Sequence, residues 1–416
     1  MKTLVIGTGG REHALVWALA RDPDVTEVHA APGNPGMAAF ATLHEVDPMS
    51  GEAVADLAER LGVDLVVVGP EAPLVAGVAD AVTGRGIACF GPSAAAARLE
   101  GSKAFAKEVM EAAGVPTARA RLCETAEQVA AALEEFGAPY VVKDDGLAAG
   151  KGVIVTGDRD EALAHAARCG RVVVEDYLDG PEVSLFAITD GTTVYPLLPA
   201  QDFKRIGDGD TGPNTGGMGA YTPLPWAEPD LVETILHDVL RPTVDEMARR
   251  GTRFAGLLYA GLALTSTGLR VVEFNARFGD PETQPLLALL DSPLSPLLLG
   301  AATGTLADVP PPTWKPGAAV AVVMASGGYP VSSSAGDVIV GTETLDAEDD
   351  VHVLHAGTAL DAEGRLVTAG GRVLAVTAVG SDVADARAKA YEGVATIAFP
   401  GAQWRRDIAD LGRVGR

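Results

Sequence analysis

Leu269-Arg270-Val271-Val272-Glu273-Phe274-Asn275-Ala276-Arg277-Phe278-Gly279-Asp280-Pro281-Glu282 reads as a β-strand running into a turn. Glu273, Asn275 and Arg277 are two residues apart and so project from one face, while Val272, Phe274 and Ala276 form an apolar opposite face. A carboxylate beside a neutral amide oxygen is the sparse donor set that Mg2+ accepts when phosphate oxygens and water complete its octahedron. Arg277 is then placed to clamp a carboxylate or phosphate beside the metal. The plainer alternative is an edge strand with a solvated face. Asp280-Pro281-Glu282 offers an N-cap and a first-turn proline for a following helix. Upstream, FAGLLYAGLAL (254–264) is a second strand, joined to the first through Ser266-Thr267-Gly268 by a short antiparallel connection.

Working outward, residues 3–116 alternate short Val/Ile/Leu runs (LVIG, LVVVG) with Ala-rich helical stretches, the pattern of a doubly wound parallel sheet. Gly7-Thr8-Gly9-Gly10-Arg11-Glu12-His13 follows the first strand and opens the first helix, where backbone amides favour an anion. Glu12 stands at the third glycine of a dinucleotide loop, and the second strand ends without an acid for a ribose, so NAD does not fit. Arg11 points instead to a single phosphate on a smaller ligand, with Pro70-Glu71-Ala72-Pro73 along the same sheet edge; glycines needed only for tight turns are the alternative. PYVVKDDGLAAGKGVIV reads as two strands joined by a glycine flap. Lys143 lies on the first strand, and Gly146, Gly150, Lys151 and Gly152 lie in the flap. A strand rather than Ser/Thr and a helix follows Lys151, which excludes a Walker A loop. Val172-Val173-Val174-Glu175-Asp176-Tyr177-Leu178 looks like a strand leading into a hinge against which adenine could lie, with Glu182 near ribose hydroxyls. Gln201 to Gly219 packs Asp202, Asp208, Asp210 and many glycines into a long functional loop, suited to an ammonium and to close backbone approach.

The chain has 416 residues, a formal charge of -24 and a pI near 4.6, which argue for several domains and against nucleic acid or an anionic membrane as partner. Cys89, Cys123 and Cys169 are three, widely spaced and without CxxC spacing, so neither a disulfide framework nor a zinc site is expected. No signal peptide or membrane span is read, and a cytoplasmic location is expected. The overall expectation is an α/β and α+β multidomain chain. Its divisions are a doubly wound domain at 1–116, a small lid lobe at 117–184, a large lobe with the metal site at 185–312, and a β-rich C-terminal domain at 317–416 after the proline-rich linker.

Together GTGGREHAL, VGPEAPL, LEGSKAF, VVKDDGLAAGKGV, VEDYLDG, QDFKR, DTGPNTGGMGAY and VEFNARFGDPETQP resemble the phosphoribosylamine-glycine ligase family, with an ATP-grasp core, over essentially the whole chain. The resemblance implies ligation of glycine to 5-phosphoribosylamine with ATP and Mg2+ or Mn2+, the second step of de novo purine synthesis. It implies that Lys103 and Lys143 contact ATP phosphates under the Gly146–Gly152 loop, that Glu175, Leu178 and Glu182 hold adenosine, and that Glu273 and Asn275 ligate metal. Gly9, Gly10, Arg11 and Glu71 would take phosphoribosylamine. Asp202, Asp210, Asn214, Gly216, Gly217, Met218 and Arg277 would position glycine. A monomer is expected, with a dimer as the alternative. Departures are Asp144 for the usual alanine, Phe203 where histidine is common, a shortened stretch before Arg171, and no acid on the 256–264 strand. The rivals are another ATP-grasp carboxylate-amine ligase and a non-catalytic nucleotide sensor.

Overall fold

The computed structural model describes residues 1–147, 152–345 and 350–413. The strand Lys2–Gly7 lies at the centre of a five-stranded parallel sheet, flanked by Glu27–Pro32 on one side and Leu65–Val68 on the other, with Thr42–Leu43 and Ala88–Phe90 at the edges. Both faces are covered, which is why LVIG and LVVV are apolar throughout rather than alternating: Leu4, Val5, Ile6, Leu65, Val66 and Val67 are fully buried. The strand order reverses beside Lys2–Gly7, so the loops after this strand and after Leu65–Val68 meet at one switch point. Helix Gly10–Ala20 leaves from the first loop and the short helix Glu71–Val75 from the second.

The second sheet is antiparallel, with Val172–Glu175 and Tyr140–Asp144 paired centrally and Ala120–Cys123 and Val153–Thr156 outside them. Period-two alternation sorts its side chains. Val142, Val172 and Val174 join a small core with Val129 and Leu133 of helix Ala126–Phe136 and Ala162 of helix Arg159–Ala166. Val141, Lys143, Val173 and Glu175 therefore project from the other face.

The third sheet, also antiparallel, runs Val194–Pro196, Glu182–Thr189, Gly256–Thr265, Gly268–Asn275. Val183, Leu185, Leu258, Ala260, Leu262, Val271 and Phe274 enter the main core. The opposite face carries Glu182, Ser184, Tyr259, Gly261, Glu273 and Asn275, with apolar Phe186, Ile188 and Leu257 at its far end. The predicted alternation of the last strand is corrected in two respects. A bulge falls at Val272, because Glu273 pairs with Gly261 while Val271 pairs with Leu262, so Val271 rather than Val272 faces the core. The strand also ends at Asn275, leaving Arg277 in the following bend.

A fourth sheet has the order Gln201–Asp202, Gly219–Thr222, Ala318–Ala325, Arg372–Gly380, Val351–His355. It crosses the proline-rich stretch at 310–317, so hydrogen-bonded strands join the predicted large lobe and C-terminal segment. The long loop expected at 201–219 is largely ordered by strands: Arg205–Gly207 and Thr211–Asn214 form a hairpin. The helix expected from Asp280 begins at Thr283, because the Asp280 carboxylate is drawn instead to Arg372 at 3.0 Å and to Gln284 Nε2 at 2.8 Å. No helix among the described residues is long and apolar enough to cross a membrane.

Candidate active site

Lys143 reaches from its strand in the second sheet to the third. Its Nζ donates to the carbonyl of Val272, the bulge residue, at 3.0 Å, and lies 2.8 Å from Glu175 Oε2. Lys107, on helix Lys103–Ala113, takes the other Glu175 oxygen at 3.0 Å. Glu175 is thus a buried carboxylate between two ammonium groups. Burial opposes its charge, but Lys143 and Lys107 hold its carboxyl below the usual range. Burial also opposes the charge on Lys143, and Glu175 and Glu273 outweigh it, so this lysine stays protonated. Glu175, expected to hold adenosine, thus also has a side-chain role, the orientation of Lys143. Lys103 Nζ donates to the Gly146 carbonyl at 2.9 Å, where the flap begins. Gly152 is buried at its far end, whereas Gly150 and Lys151 lie outside the described residues. Leu178 is half-buried in the irregular stretch between Val172–Glu175 and Glu182–Thr189.

Across the exposed end of the third sheet, Lys204 bridges Glu182 at 2.6 Å and Asp202 at 2.8 Å. Lys204 holds the Glu182 carboxyl below its ordinary value, while burial and the nearby Glu182 charge push Asp202 upward despite Lys204. Arg277 joins this region to the N-terminal sheet. It lies 3.1 Å from Glu71, 3.1 Å from Glu100 and 3.4 Å from Asn275 Oδ1, and donates to the Phe278 carbonyl at 3.2 Å. Glu100 also accepts the Ala276 backbone N–H at 2.7 Å, which fixes the bend that carries Arg277.

The first glycine loop adjoins the same region. Gly9 and Gly10 face Asp280, and a Cβ on Gly10 would lie 2.9 Å from Gln284 Nε2. Glu12 fills the switch point itself: its carboxylate accepts the Gly9 N–H at 2.7 Å and packs against Gly7 and Gly69, neither of which has space for a side chain. That agrees with the exclusion of a dinucleotide. Arg11, expected to meet a phosphate, is instead engaged by protein, since it is 7% exposed, pairs with Glu12 and donates to the Phe278 carbonyl at 3.1 Å. Arg372 secures the glycine-rich turn by donating to the carbonyls of Gly216 at 2.6 Å and Asp280 at 2.7 Å. Gly217 there has φ near 110° and packs against Pro281, a position closed to other residues. Met218 is buried, and Asn214 pairs with Arg205 in the hairpin. Asp210 is held elsewhere, by the fully buried Arg405 at 2.6 Å.

Lys107, Glu100, Glu282 and Arg372 were assigned no role from sequence. Glu100 and Glu282 do fall inside motif stretches, LEGSKAF and FGDPETQP, whereas Lys107 and Arg372 carry no local signal. Among the described residues no group of three or more His, Cys, Asp or Glu side chains is arranged to hold a metal. Glu273 and Asn275 nonetheless share one face beside Lys143, a two-oxygen set that fits a cation completed by phosphate and water.

Two antiparallel sheets meeting through a buried lysine, with a carboxylate and an amide on the facing strand and a parallel-sheet domain ahead of them, define the ATP-grasp class. The family model for phosphoribosylglycinamide synthetase matches the chain in three parts: its N domain at residues 1–100, its ATP-grasp domain at 101–283 and its C domain at 319–411. The chain belongs to this family. It is 64% identical to the phosphoribosylamine-glycine ligase of Streptomyces coelicolor, covering 98% of this chain and 99% of that one, and 55% identical to that of Mycobacterium leprae, covering 100% and 99%. The crystal structure of phosphoribosylamine-glycine ligase from Thermotoga maritima superposes with a TM-score of 0.85 at 33% identity, covering 98% and 100%. The biotin carboxylase domain of Hydrogenobacter thermophilus 2-oxoglutarate carboxylase, solved with MgADP, shares the fold at a TM-score of 0.72 and 18% identity, covering 97% and 91%.

Proposed function

We propose that this chain joins the carboxylate of glycine to the amine of 5-phosphoribosylamine at the expense of ATP, releasing ADP and phosphate, in the cytoplasm and as a step of purine synthesis. The observation that carries the reading is the fastening of Lys143 to the strand of Glu273 and Asn275, which places a buried ammonium beside the two metal-ligand candidates. ATP lies between the two sheets in this reading, its phosphates met by Lys103, Lys143 and the flap, its adenosine by Glu175, Leu178 and Glu182. Glu273 and Asn275 would hold Mg2+, or Mn2+ in its place, which when bound would supply neutralisation of phosphate charge. Arg277 and Asp202 orient glycine, with the Asn214–Met218 segment closing over it. A glycine carboxylate oxygen attacks the γ-phosphorus, ADP leaves, and the phosphoribosylamine nitrogen then displaces phosphate from glycyl phosphate. Phosphoribosylamine enters beside Gly9, Gly10 and Glu71. Catalysis here is positioning and charge neutralisation in a site screened from water. The 5'-phosphate would meet this glycine loop and Arg11, whose guanidinium would exchange its contact with Glu12 for the phosphate.

A coupled assay with freshly generated phosphoribosylamine tests this reading. ADP release requiring both glycine and the amine supports it, and release with another amino acid at equal efficiency would overturn the assignment of substrate.

A further inference from the structure

Glu282 is 4% exposed, yet among the described residues no Lys, Arg or His lies within ion-pair distance of its carboxylate. Other buried acids of the site have such partners: Glu12 has Arg11, Glu100 has Arg277, Glu175 has two lysines, Asp202 has Lys204 and Asp280 has Arg372. An unpaired buried carboxylate is costly, and where it sits in a reaction site that cost points to proton chemistry. The carboxylate accepts a hydrogen bond from Ser184 Oγ at 3.4 Å, and Ser184 Oγ lies 3.0 Å from the Tyr259 hydroxyl. Both partners come from the polar face that also carries Glu273 and Asn275.

The position of Glu282 in the chain matters as much. Asp280 and Gln284, two residues away on either side, adjoin Gly9 and Gly10, where the amine substrate is placed. Glu282 itself turns the other way, back over Gly279 and toward Ser184, on the glycine side. Its carboxylate thus lies between the places proposed for the two substrates. Several charged groups bear on it. Asp202 repels its charge, and Lys204 and Arg277 favour it; Tyr259 and Glu273 stand across the same face. Burial and the Asp202 charge outweigh the cations and push the Glu282 carboxyl up to about 7, which suits a group that must accept and release a proton near neutral pH.

We propose that Glu282 is the general base of the second step, a role that rests on the acyl phosphate reading above. As the phosphoribosylamine nitrogen forms its bond to the acyl carbon, the carbon–oxygen bond to phosphate breaks, phosphate leaves with that electron pair, and the proton shed by nitrogen passes to the Glu282 carboxylate.

The test compares two nucleophiles on the full chain with ATP, Mg2+ and glycine: phosphoribosylamine, and hydroxylamine, which captures an acyl phosphate as the hydroxamate and sheds its proton to water. Wild-type protein should give both products. Glu282→Gln, nearly isosteric and checked by its melting temperature, should lose about 100-fold or more in turnover with phosphoribosylamine. It should keep hydroxamate formation within about threefold, and the acid limb of the kcat profile near pH 7 should vanish. Glu282→Asp should recover part of the lost turnover. Parallel loss of both products with a raised KM for glycine would make Glu282 an ammonium anchor and overturn the proposal, as would unchanged turnover or an unchanged acid limb. Absence of hydroxamate from the wild-type reaction would instead sink the acyl phosphate reading itself.

Discussion

Lys143 Nζ donates to the carbonyl of Val272, so the second sheet is fastened to the third at the bulge that precedes Glu273. The same ammonium shares Glu175 with Lys107, and all three charges are largely withdrawn from water. Lys143 therefore holds the two sheets together, and in the proposed function the same ammonium presents positive charge to the phosphates of ATP.

Lys143→Ala leaves one oxygen of a buried carboxylate without its cation. A destabilisation of about 3–5 kcal/mol is expected from breaking such a pair. Adding Glu175→Gln should restore much of that stability without restoring activity, because the phosphate-facing charge is still missing. Denaturant unfolding and the KM for ATP on both variants check the separation.

Glu273→Ala should leave the fold intact, since the side chain is only partly buried and makes no ion pair among the described residues. Turnover should fall by roughly two orders of magnitude or more, as for loss of a group that stabilises transferring phosphoryl charge. Partial recovery at high Mg2+ is expected. Normal activity at low Mg2+ would remove Glu273 from the metal site.

Glu71 gives the acid dependence a defined sign. Its burial works against the charge, yet Arg277 and Arg11 hold its carboxyl down to about 2. A depressed carboxylate stabilises the fold above its unfolded value near 4.5, and that stabilisation is lost as pH falls toward 2. Glu71→Gln should thus cost on the order of 2–3 kcal/mol at pH 7, and the gap from wild type should close between about pH 4.5 and 2. Unfolding curves across that range measure it.

Asp210 and Arg405 lie 195 residues apart in sequence and 2.6 Å apart in the fold, with Arg405 also stacked over Phe203 at 4.9 Å. This pairing makes Asp210 a support for the hairpin. Asp210→Asn and Arg405→Lys should each raise the KM for glycine by roughly three- to tenfold, and the double variant should be no worse than the more affected single variant. Additive losses would separate the two residues.

Much of the fold was legible because period-two and continuous apolar patterns report whether one or both faces of a strand are covered. LVIG and LVVV showed the parallel sheet, and YVVK with VVVE showed the strands of the second sheet. The polar face of the third sheet was legible through Glu273 and Asn275. The bulge at Val272 was not, because an inserted residue leaves no mark in an apolar run. Arg11 reads as a ligand group because an arginine stands in a glycine loop; its contacts with Glu71 and the Phe278 carbonyl, which come from distant segments, do not show in the string. Lys107 and Arg372 were invisible for the same reason. Glu282 lay in plain view within FGDPE, but its lack of an ion partner among the described residues is a property of the folded neighbourhood and not of the string.

The central claim is that the polar face delivers the glycine carboxylate to the γ-phosphoryl group of ATP before the amine reacts. Glycine labelled with oxygen-18 in its carboxylate, supplied with ATP and phosphoribosylamine, tests it by mass spectrometry of the phosphate released. Passage through glycyl phosphate places one labelled oxygen in each phosphate. Unlabelled phosphate alongside normal product would contradict the account and the roles given to Arg277, Glu273 and Asn275.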